Sequence, residues 1–111
     1  MATYVSRAYD IGRRYNLTAD EMFADALTRA ADADAQLASD PTSVGALHGI
    51  PISVKDHIAI AGTDATTGCA WHCNEPDTSD SDIITLFRKQ GAIPFVKSNI
   101  PQIMLWVESD N

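Results

Sequence analysis

The sequence predicts an α/β fold, in which N-terminal helices are followed by a βαβ-like unit. Two observations carry this. Apolar residues recur at helical spacing up to Leu37, and two β-branched runs, "IPISV" and "AIPFV", then flank a short amphipathic stretch. Helical and strand periods (3.6 and 2 residues) separate these two halves of the chain.

In the first half, Tyr4, Val5, Ala8, Ile11 and Tyr15 define one apolar helical stripe. Met22, Phe23, Ala26, Leu27, Ala30, Ala33 and Leu37 define a second and longer one. Thr18 followed by Glu21 is a capping-box spacing that would satisfy free N–H groups at the start of the second helix, and Asp40-Pro41 would end it. In the second half, residues 50 to 55 read as a strand with its proline near the start. Ser79 or Asp80 could cap a helix carrying Ile83, Ile84 and Phe87 and stopping at Gly91, and "AIPFV" forms the second strand. Strand, helix, strand is a crossover with parallel strands, and parallel sheets are covered on both faces. Two strands do not make a sheet that stands alone. The link from Asp56 to Thr78 has no periodicity, a length expected of functional loops. Ile103, Met104, Leu105, Trp106 and Val107 form an apolar run with little chain after it to bury them. The pattern implies an incomplete domain.

Composition narrows the function. The 111 residues are 45% hydrophobic, enough for a core without disulfide staples. Fifteen acids against 8 bases leave a net charge of -7, which repels phosphate backbones and anionic headgroups. Nucleic acid and membrane are therefore not expected as partners. No uninterrupted apolar segment resembles a secretory signal or a membrane span, and the expected location is cytoplasmic. Cys69 and Cys73 are too few for a disulfide framework. With His72 they give "CAWHC", three soft ligands in five residues, whereas structural zinc takes four ligands in two separated pairs. No metal and no cofactor are expected, and His48 and His57 read as hydrogen-bonded loop histidines. A nucleophile elbow and a glycine-rich phosphate loop are both missing from the sequence. Lys55, which ends "IPISVK", is the residue left with chemistry to offer. A lysine acts as a base only when neutral, which means lowering its reference pKa from about 10.4 to about 7, roughly 4 kcal/mol of desolvation or like-charge pressure. Burial at a strand end would supply it. The adjoining Asp56 would work against it, because a nearby carboxylate favours the ammonium.

The stretch "ALHGIPISVKDHIAIAGTDATTG" resembles the lysine motif of the amidase signature family of serine hydrolases. "SDSDIITLFRKQGAIPFVKSNIPQIM" resembles the segment that follows in that family, with wording nearest the fatty-acid amide hydrolase branch. The match runs from Ala46 to about Val107. The resemblance implies a mixed sheet flanked by helices, of which residues 1–111 would be the N-terminal portion, truncated before a Gly/Ser-rich segment that carries the nucleophile. It implies cleavage of carboxamide C–N bonds by a serine, a second serine in a cis peptide, and a lysine. Lys55 stands at the position of that lysine and would be the general base, drawing the nucleophile's proton through the bridging serine. Met104 matches a methionine beside the acyl and oxyanion region and would touch the amide substrate through its main chain. Neither triad serine is expected within these residues, so the chain alone should not hydrolyse amides. A second reading is a non-catalytic interaction protein whose partner covers the run from Ile103 to Val107.

Overall fold

The computed structural model describes residues 1–109. Its helices are α1 (Ala2–Arg7), running on as a π-helical segment (Ala8–Gly12), α2 (Phe23–Ser39) and α3 (Asp82–Lys89). Its strands are β1 (Thr18–Glu21), β2 (Pro51–Lys55) and β3 (Ile93–Ser98). They form one mixed sheet in the order β1-β3-β2, with β1 antiparallel and β2 parallel to the central β3. Two short 3₁₀ turns, Ala70–His72 and Gln102–Met104, complete the elements.

The crossover from β2 through α3 to β3 is as expected, whereas β1 corrects the sequence reading. Thr18 and Glu21 do bond one another, the Thr18 hydroxyl donating to the carboxylate at 3.0 Å, but inside a strand rather than a helix cap. Thr18 pairs with Ser98 and Glu21 with Val96. Met22 then donates its N–H to the Phe95 carbonyl and takes the N-cap position of α2. A local capping signal is worth about 1 kcal/mol, and pairing that satisfies the free edge of β3 outweighs it. The start of α3 also moves, to Ser81 at the N-cap. Asp80 is engaged elsewhere, accepting from the Ala61 N–H at 2.9 Å and forming an ion pair with Arg88, whose Nε lies 2.8 Å from its carboxylate.

Alternation along β2 decides which side is buried. Ile52 and Val54 face α3 and join Ile60, Ile84, Ile58, Phe87 and Met22 in the core. Ser53 and Lys55, on the opposite face, are exposed. On that face Ser53, Phe95, Val96 and Ser98 form the floor of a groove of about 280 Å³ walled by Tyr4, Ile11 and Leu17. Gly91 makes the turn from α3 to β3 at φ +88°, where a Cβ would lie 2.7 Å from His48 Cα, so only glycine fits. Among the described residues, no helix is long and apolar enough to cross a membrane.

Candidate functional site

Lys55 is the last residue of β2 and opposes Ser98 of β3. Its side chain leaves on the open face, where Nζ donates to the Asn99 carbonyl at 3.2 Å. The expected burial is not found. A strand has a period of two, and because Val54 takes the core side, Lys55 points away from it. The expected proximity of Asp56 also changes sign of side: Asp56 is 2% exposed and accepts from the Thr66 hydroxyl at 2.9 Å, on the inner side of the loop.

The buried lysine is Lys97, one position before Ser98 on the neighbouring strand and paired with Val54. It is fully buried. Its ammonium donates to the Thr63 hydroxyl at 3.4 Å and to the Asp64 carbonyl. Burial pushes Lys97 below the ordinary lysine range, and the charge of Asp56, followed by those of Asp77, Asp20 and Asp64, pulls it partly back. Burial along "IPFVKS" does not alternate, so the sequence held no clear signal for this residue, which falls on the side of Val54 only through the register with β2.

The loop from Thr63 to Gly68 links these groups to Met104. The Thr66 hydroxyl accepts from the Gly68 N–H at 3.1 Å, and the Thr67 carbonyl accepts from the Ile103 N–H at 2.8 Å. Gly68 lies so close to this turn that a Cβ would stand 3.0 Å from Gln102 Cα. Ile103 and Met104 both have φ near +54°, a left-handed conformation that costs a β-branched residue such as isoleucine most. The side chain of Met104 is half exposed, as are its apolar neighbours or more so, with Val107 at 94%. The same loop is thus bonded to Asp56, next to Lys55, and to Ile103, next to Met104.

The other candidates do not converge. Cys69 is buried, its thiol directed at the Thr67 carbonyl at 3.6 Å, while Cys73 is exposed. No group of three His, Cys, Asp or Glu side chains able to hold a metal occurs among the described residues. His48 Nε2 donates to the Ala33 carbonyl at 3.0 Å, a packing role between α2 and the turn at Gly91. Arg13 pairs with Glu21, and that guanidinium holds the Glu21 carboxyl below its usual range.

Comparison with known proteins identifies the family. The model of the Amidase family matches residues 1–111. Acetamidase of Emericella nidulans is 36% identical over 102 residues, which cover 91% of this chain and 19% of that protein. Fatty-acid amide hydrolase 1 of Sus scrofa is 31% identical over 109 residues, 98% of this chain and 17% of that protein. The crystal structure of native peptide amidase from Stenotrophomonas maltophilia superposes with a TM-score of 0.76 at 29% identity, covering 89% of this chain and 20% of that one. The chain therefore spans about a fifth of the length of the relatives it matches, and its helices and mixed sheet are the corresponding part of their α/β fold. Matched along its whole length, the chain belongs to the amidase family.

Proposed function

We propose that residues 1–111 are the N-terminal, lysine-bearing portion of a hydrolase that cleaves carboxamide C–N bonds, with Lys55 as its general base. The observation that carries this reading is the position of Lys55: it ends a core strand, stands on the sheet's open face and is tethered by a backbone carbonyl, in a chain that matches the amidase family throughout. A base must reach the proton it abstracts, and the open face is where a serine-bearing segment could approach. In this proposal the nucleophile and the bridging serine come from a Gly/Ser-rich segment beyond these residues. The main chain of Met104 lines the acyl side of the substrate. The relatives named acetamidase and fatty-acid amide hydrolase support an amide as substrate and leave its acyl group open.

Two consequences follow from the chemistry. The 111 residues alone have a base with no nucleophile to activate and do not hydrolyse amides, since loss of a triad nucleophile costs on the order of 10⁶ in rate. The exposed run from Ile103 to Val107 is then covered by the rest of the enzyme. Sequencing the transcript past the codon for Asn111 tests the proposal. An open frame continuing into a Gly/Ser-rich segment is the expected result. A stop codon directly after Asn111 overturns it and turns the same apolar run into evidence for a separate protein partner.

A further inference from the structure

We propose that Lys97 is a positioning residue for Lys55, acting through the Thr63–Gly68 loop and Asp56 from the opposite face of the sheet. This rests on the reading of Lys55 as the base, and it adds a residue with no role in that reading.

The connections are continuous. The Lys97 ammonium holds the loop at two points, the Thr63 hydroxyl and the Asp64 carbonyl. Two residues on, the Thr66 hydroxyl donates to the Asp56 carboxylate, and Asp56 is bonded to Lys55 through the next peptide. The Asp56 N–H donates to the Ser98 carbonyl at 3.0 Å, closing the circuit back to the residue after Lys97. Lys97 therefore fixes the end of β2 from below while Lys55 projects above.

Charge gives the arrangement its purpose. A lysine followed directly by an aspartate would ordinarily meet that carboxylate, which favours the protonated amine. Here Asp56 is buried on the inner side, and its negative charge is the strongest of those acting on Lys97. A buried carboxylate needs a cation or hydrogen-bond donors to remain there. Lys97 supplies a positive charge that acts on Asp56, Thr66 supplies a donor, and the Lys55 ammonium donates instead to the Asn99 carbonyl.

Differential lysine acylation tests this on the 111-residue chain itself. The chain has three lysines, Lys55, Lys89 and Lys97, and exposed Lys89 on α3 serves as the internal standard. The chain is treated with a limiting N-hydroxysuccinimide ester, and the ratio of Lys55 to Lys89 acylation rates is read by peptide mass spectrometry. Thr66→Val removes the donor to Asp56 with little change of shape, and Lys97→Met removes the anchor. Thr66→Val is expected to change the ratio by about threefold or more, the worth of one hydrogen bond, with unchanged circular dichroism. Lys97→Met, where it folds, is expected to change it in the same direction. A ratio unmoved in folded Thr66→Val, or in folded Lys97→Met, overturns the proposal. No hydrolysis is measured, so this outcome is independent of whether Lys55 serves as a base.

Discussion

Lys55 and Lys97 lie one register position apart on adjacent strands, and the pleat sends one to solvent and the other to a fully buried site. Burial of Lys97 has a consequence for stability whose sign is fixed. Its folded pKa is below the unfolded value of 10.5, so at lower pH both states carry the proton and the full desolvation penalty is present. As pH rises through the folded pKa toward 10.5, the unfolded chain binds more protons than the folded one, and stability increases. The urea midpoint should therefore climb as alkaline pH approaches the unfolded value, and Lys97→Met should remove that climb. Equal pH slopes in the two proteins would show that the ammonium is not what is being relieved.

At the level of elements, the parts legible in the sequence were those with strong local period. The α2 stripe, the crossover helix and both core strands lie within a few residues of where periodicity places them. The strand β1 was not legible, because "TADE" has poor strand propensity and becomes a strand only by pairing with the distant β3. The same limit hid the site. Lys55 could be picked out as a strand-end lysine, but which face it occupied depended on the register between β2 and β3, including an irregularity between Ile52 and Ser53. Lys97 lay in plain sight in the sequence and acquired meaning only through that register. The turn at Gly91, by contrast, was readable as a helix stop, and the structure adds that His48 leaves no space for a side chain. Gly91→Ala should cost about 1–3 kcal/mol in urea unfolding, through the positive φ and the contact with His48. A loss below a few tenths would mean that the turn can relax.

Across the whole molecule the two faces of the sheet are covered unequally. Ile52, Val54, Ile60 and Ile84 make a core beneath it, while Lys55, the 280 Å³ groove and the run from Ile103 to Val107 all lie uncovered. Apolar groups exposed on this scale mark an interaction surface, and relatives about five times longer supply a reason for one. The most direct test of Lys55 as base is a chimera in which residues 46–107 replace the matching segment of Emericella nidulans acetamidase. Amide hydrolysis is then compared between chimeras with Lys55 and with Lys55→Ala. A base contributes about 10²- to 10⁴-fold, so kcat/KM should fall by that factor in folded Lys55→Ala chimera. Equal rates in the two chimeras would contradict the assignment of Lys55.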